Sequence, residues 1–185
     1  MRTAITGMGC VSAAGCGLEA LAATLEGRRA VAPSFPEKRL NCVYASRYPV
    51  FQVPETLLNE RRGGETLSFL FLRKALDEAL RQARMTAETL RGLRIGVCVG
   101  TSVDASFNLF EFYRDWRKEA PVDQELFARH QSASLSDKVL QYYGIPGISQ
   151  TVVTACASGT DAIGTGAEWI ENGLCDVVIA GGADE

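Results

Sequence analysis

The chain has 185 residues, 46% hydrophobic and 22% charged, with 19 Lys and Arg against 22 Asp and Glu for a net charge of −3. That length is enough for one domain with a sizeable core, and the composition is that of an ordinary soluble globular protein. A small net charge without a basic stripe argues against nucleic acid as a partner, and no apolar run approaches a membrane span.

The N-terminus, MRTAITGMGCVSAAG, has neither the charged n-region nor the continuous apolar core of a signal peptide, so a cytoplasmic location is expected. Thr3 to Gly7 predicts a short buried strand. Residues 17–26 predict a helix stopped by Gly27. Residues 33–54 hold four of the six prolines and predict a loop, with one short strand near Val43. Residues 65–83 give the clearest helical pattern: Leu67, Leu70, Phe71, Ala75, Leu76, Ala79 and Ala83 recur at helical spacing. A buried strand is expected over 94–100 and helices over 107–118 and 134–143, the latter stopped by Gly144 and Pro146. A strand over 150–155, a helix over 158–171 and a strand over 175–180 ending at Gly181-Gly182 complete the order. Strands alternating with helices predict an α/β chain with a mostly parallel sheet, and the continuously apolar strands predict that helices cover both faces. No linker, repeat or low-complexity segment divides it, so 1–185 reads as a single domain.

Six cysteines, at 10, 16, 42, 98, 156 and 175, are scattered without CxxC pairs. In a cytoplasmic chain they read as reduced thiols, and five of them as small structural residues. A single histidine, His130, and no clustered ligands give no metal pattern, and no cofactor is implied. Cys156 differs by position. It lies between an apolar β-branched run and a helix, in TVVTACASGTDAIG. A helix N-terminus carries free N–H groups and positive potential, which favour a thiolate and a developing oxyanion. Ala155, Ala157, Ser158 and Gly159 leave room around the sulfur, while Gly164, Gly166 and Ala167 let the helix approach other backbone closely. The bland alternative is a buried structural cysteine.

Three other patterns carry less. Gly7-Met8-Gly9-Cys10-Val11-Ser12 imitates a dinucleotide loop, but Ser12 replaces the third glycine and no acid follows a second strand, so a tight turn is expected. Thr154 stands where a hydrolase nucleophile elbow needs its first glycine. His130, in the polar stretch ARHQSAS, reads as a solvated side chain rather than a dyad partner for Cys156.

Thr154-Ala155-Cys156-Ala157-Ser158-Gly159 followed by Asp176 to Asp184 (DVVIAGGAD) resembles the β-ketoacyl-acyl-carrier-protein synthases. Ala4 to Gly9 with Val11 to Gly15, and Gly100-Thr101-Ser102, resemble that family's first strand and loop and the loop after its third strand. The matches run in order along the chain and cover the family's first half only; the C-terminal half is absent from these residues. The resemblance implies the N-terminal half of a thiolase-like α/β/α/β/α layered fold, with a mostly parallel sheet flanked by helices.

It also implies an acyltransferase in which Cys156 takes an acyl group from a carrier-protein thioester. Malonyl-acyl-carrier protein then loses CO₂, and the enolate attacks the acyl-cysteine. The two histidines, the lysine and the phenylalanine-containing Gly-rich loop that complete such a site belong to the missing half, and His130 matches neither histidine. The isolated chain is therefore expected to be inactive in condensation. By the same resemblance Val103 and Ala155 line the acyl pocket, and Phe127 reaches a partner subunit's pocket. The aromatic stretch 107–116 covers the pocket or is an ordinary amphipathic helix. The resemblance further implies a homodimer along the strand that leads into the nucleophile. Fatty-acid and polyketide-type synthesis both fit. A non-catalytic partner subunit, comparable to chain-length factors, is the alternative; those usually replace the cysteine.

Overall fold

The stretch Ile-Gly-Val-Cys-Val-Gly alternates large and small residues. In a computed structural model it forms the central strand of the sheet, β3 (Ile95–Gly100), buried at every position. The structure describes residues 3–34, 48–62, 65–104, 106–122, 124, 128 and 134–185, with backbone alone for 106–111. Successive side chains of a strand point to opposite faces. Ile95, Val97 and Val99 enter one core with Phe69, Leu72, Leu76, Leu90, Leu135, Val139 and Ile145. Gly96 and Gly100 face the other way, where an added Cβ would sit 2.7 Å from the Trp169 ring and 2.2 Å from the Ser158 carbonyl carbon.

Ahead of β3, β1 (Val11–Ser12) and β2 (Gly15–Cys16) form a small antiparallel hairpin. There follow α1 (Leu18–Leu25), α2 (Glu55–Leu58), α3 (Leu67–Gln82) and α4 (Ala87–Arg91). After β3 come α5 (Ser106–Arg117), α6 (Leu135–Tyr143), β4 (Gly147–Val152), α7 (Ser158–Glu171) and β5 (Val177–Gly182). The sheet order is β4-β3-β5, and β3 pairs in parallel with both neighbours. Helix α7 covers one face; α3 and α6 cover the other. This is the predicted α/β arrangement with a parallel sheet.

Local chemistry explains the element ends. Thr66 caps α3 by accepting a bond from the Phe69 N–H, and Ser134 caps α6 by accepting one from Asp137. Gly144 ends α6 at φ 59°, the left-handed conformation glycine adopts without strain.

Five expectations are corrected. Residues 3–7 form no strand and Ile5 is 76% exposed. The segment instead runs across α3: an added Cβ at Gly9 would lie 1.8 Å from the Ala75 carbonyl oxygen, and Glu78 accepts the Cys10 and Leu18 N–H groups at 3.1 and 2.9 Å. The glycines of the imitation dinucleotide loop thus admit a helix backbone, and Ser12 leads into the hairpin turn. Of the expected α3 stripe Leu70 and Leu76 are buried, but Phe69 and Leu72 join Leu76 in the core, while Ala75 and Ala79 face the N-terminal segment. Helix coverage is complete only for β3; β4 and β5 carry exposed positions. Strand β4 begins and ends three residues early, because its ladder with β3 closes at Gly100 and Val152. Finally, Gly164 has open space around it, while Gly166 packs on Val178. The short strand near Val43 lies outside the described residues; Ser34 and Val50 flank that stretch as an antiparallel bridge.

Among the thiols, Cys98 and Cys175 are buried as expected, Cys10 is partly buried and Cys16 is exposed. Cys42 lies outside the described residues. No described helix is long and apolar enough to cross a membrane.

Candidate functional site

Cys156 sits on a sharp strand-to-helix turn. Strand β4 stops at Val152, one 3₁₀ turn spans Ala155–Ala157, and α7 starts at Ser158. Ala155, the residue before the cysteine, is held at φ 53°. A non-glycine residue there is strained by roughly 1–2 kcal/mol and persists only where its surroundings fix it. Here they do. The Ala157 N–H donates to the Thr154 carbonyl at 3.2 Å, and the Ser158 N–H donates to the Ala155 carbonyl. The Ser158 hydroxyl, 3% exposed, accepts from the Thr154 N–H at 2.8 Å. It lies 2.7 Å from the Ala155 carbonyl and 3.0 Å from the Thr101 carbonyl, which share its proton. The Thr154 hydroxyl donates to Asp161 at 2.5 Å. The turn is thus tied on both sides, while Ala155 and Cys156 are exposed.

The loop after β3 runs alongside. Its Thr101 is buried, its carbonyl meets Ser158, and Gly100 lets the start of α7 press against the strand end. Two residues on, Val103 is 48% exposed. Asp184, two residues past β5, accepts from the Thr101 hydroxyl at 2.6 Å and from the Ser102 and Val103 N–H groups at 2.9 Å each. Burial pushes its carboxyl up, but the Thr101 hydroxyl and the loop N–H groups outweigh burial and hold it below the usual range. Glu185 behaves oppositely: burial raises its carboxyl, against the Ser68 and Leu67 N–H groups at the start of α3.

The structure therefore ties the Ala155–Cys156 turn to the loop after β3 through Ser158 and Thr101, and Val103 lies exposed two residues along that loop. Phe127 and His130 lie outside the described residues. Helix α5 forms within the aromatic stretch, and its Tyr113 and Trp116 are exposed, with ring centroids 5.9 Å apart. Sequence reasoning gave Ser158 only as a small neighbour and Asp184 no role. The available signal was topological: in a parallel sheet, the segments following neighbouring strands emerge at the same edge. An acid after β5 therefore meets the N–H groups after β3. Among the described residues no three of His, Cys, Asp and Glu form a group able to hold a metal ion.

Residues 66–185 match the family model described as the N-terminal domain of β-ketoacyl synthase. The chain belongs to the β-ketoacyl synthase family. It is 26% identical over 193 residues to 3-oxoacyl-[acyl-carrier-protein] synthase 1 of Haemophilus influenzae, covering 100% of the chain and 47% of that protein. It is 28% identical over 196 residues to a putative polyketide β-ketoacyl synthase 1 of Streptomyces cyaneus, covering 99% of the chain and 46% of that protein. It spans about half the length of these curated relatives, and the shared part is their N-terminal half. The solved ishigamide ketosynthase/chain length factor superposes with a TM-score of 0.83 at 23% identity, over 97% of this chain and 46% of the other. That likeness bears on the fold, and the expected thiolase-like half stands.

Proposed function

We propose that the chain supplies the nucleophile half of a decarboxylating condensation, as a 3-oxoacyl-acyl-carrier-protein synthase of fatty-acid or polyketide-type synthesis. The Cys156 thiolate attacks an acyl thioester, and the carrier's thiol leaves. Malonyl-acyl-carrier protein then loses CO₂, and the resulting carbanion attacks acyl-Cys156. The product is 3-oxoacyl-carrier protein, with the cysteine freed. The observation that carries this reading is the exposure of Cys156 beside a strained, fully tethered turn at the start of α7. Such a turn fixes a nucleophile where a large substrate can reach it. An exposed cysteine there also counts against the non-catalytic partner-subunit reading.

In this proposal Val103 and Ala155 line the acyl pocket and Phe127 serves the pocket of a second copy. The chain is a single domain that dimerises along β4, an edge strand among the described residues, and works in the cytoplasm. A solved ketosynthase with 22% identity and a TM-score of 0.75 is in complex with its type II polyketide acyl-carrier protein, which supports a carrier protein as the partner here. Histidines that promote loss of CO₂ come from a C-terminal half, since His130 is the only one in these 185 residues.

The test is one incubation of the 185-residue chain with octanoyl- and malonyl-acyl-carrier protein and two readouts. The expected result is an octanoyl adduct on the protein, absent from Cys156→Ala, with no 3-oxodecanoyl product. Absence of the adduct overturns the nucleophile assignment. Product formed by this chain alone overturns the division of labour between halves.

A further inference from the structure

We propose that Asp184 is the positioning residue for the surface that faces Cys156. Its carboxylate gathers the backbone of the 101–104 loop, and through that loop it fixes Val103. The inference rests on the reading of Val103 as part of the acyl pocket. Four donors converge on Asp184. The Thr101 hydroxyl lies at 2.6 Å and the N–H groups of Ser102, Val103 and Asp104 at 2.9, 2.9 and 3.1 Å, all measured to Oδ1. Three successive N–H groups aimed at one point form a backbone nest for an anion. In this chain the anion is built in.

The loop pays conformational strain to take that shape: Asp104 is held at φ 46°. Its N–H is shared with the Thr101 hydroxyl at 2.8 Å, and its own carboxylate accepts from Ser68 at 2.7 Å. The far side of the loop meets the nucleophile turn, where Thr101 and Ser158 join at 3.0 Å. Bonds from N–H to a carboxylate are stronger than those between neutral groups, so a neutral side chain at 184 holds the loop less firmly. The sheet does not depend on this carboxylate. The Ala183 N–H donates to the Gly100 carbonyl at 3.0 Å, and Gly100 pairs with Gly182. Removing the side chain therefore loosens the loop and leaves the ladder in place.

The experiment measures labelling of Cys156 by iodoacetamide and by N-octyl iodoacetamide, resolved by peptide mass. It compares wild type, Asp184→Ala, Asp184→Asn and Thr101→Val, with circular dichroism melts on each. The octyl reagent senses the wall that Val103 contributes; the small one senses the cysteine. In Asp184→Ala the ratio of the two rates is expected to shift about tenfold, the size of effect a misplaced methylene contact has on discrimination. The iodoacetamide rate stays within about twofold in that account, and Asp184→Asn restores most of the ratio because an amide oxygen still accepts. An unchanged ratio in folded Asp184→Ala overturns the proposal. So does an equal fall with both reagents, which marks general loosening. Should Asp184→Ala not fold, Thr101→Val decides: a shift in the same direction supports the proposal and an unchanged ratio overturns it. Acyl loading of wild type from octanoyl-carrier protein is run alongside. Its absence refutes the condensing-enzyme reading, while the labelling ratio still judges Asp184.

Discussion

Ser158 carries the turn that bears Cys156. One buried hydroxyl joins the Thr154 N–H, the Ala155 carbonyl and the Thr101 carbonyl, so it holds both the strained residue before Cys156 and the loop beside it. Ser158→Ala removes the oxygen and strands these partners. The expected cost is about 1–3 kcal/mol, read as a lower urea midpoint with unchanged slope. Cys156→Ala, by contrast, removes an exposed side chain and leaves the midpoint close to wild type. The sequence made Cys156 conspicuous because a thiol at a strand–helix junction has a chemical reason to be there. Ser158 was less conspicuous because serine is common at helix starts, and only the folded contacts set this one apart. The strain also sits elsewhere than a sequence would indicate. It falls on Ala155, where no glycine marks the turn.

Element by element, periodicity located α3, β3 and α6 well, since each has a face buried in one core, and α7, which covers the opposite face of the sheet. It placed the first segment wrongly. TAITG has the composition of a strand, yet it forms none, and the N–H groups just after it find side chains of α3, with Met8 donating to Gln82 at 3.2 Å and Cys10 to Glu78. Composition cannot report a missing ladder partner. Nor did it predict Arg73, which lies on the buried side of α3 and is 4% exposed. It pairs with Glu65, 7% exposed, through bonds of 2.8 and 3.2 Å, and its guanidinium lies 5.6 Å from the centroid of the Tyr142 ring of α6. Burial pushes the Glu65 carboxyl up, but the Arg73 guanidinium and the Arg62 N–H and charge together outweigh it and hold the carboxyl below its usual range. Glu65→Leu leaves a buried cation alone. The expected loss is about 3–5 kcal/mol, whereas changing both partners to Leu and Met costs much less. Chemical denaturation of the two variants checks this, and equal losses would refute it.

At the scale of the whole molecule, carboxylates tie its parts together. The Arg94 guanidinium holds Asp176 down to about 2, joining the start of β3 to the approach to β5. The Ser149 and Ser134 hydroxyls keep Asp137 low, and the 101–104 loop keeps Asp184 low. Groups depressed in the folded state add stability that is present above their unfolded values and lost as pH falls through the folded ones. Stability is therefore expected to drop on acidification from the ordinary aspartate value of 3.8 toward about 2, with Asp176 among the last to protonate. Glu185, raised by burial, works in the opposite sense, its contribution being lost as pH rises. Urea midpoints between pH 5 and 2.5 test this, and Asp184→Asn should flatten the fall. In the proposed reaction one thiol of the six in the sequence, Cys156, carries the acyl group. The most direct measurement is the acyl occupancy of each cysteine peptide after brief incubation with octanoyl-acyl-carrier protein. The account predicts octanoyl groups on Cys156 alone; occupancy spread over the other cysteines, or none at Cys156, would contradict it.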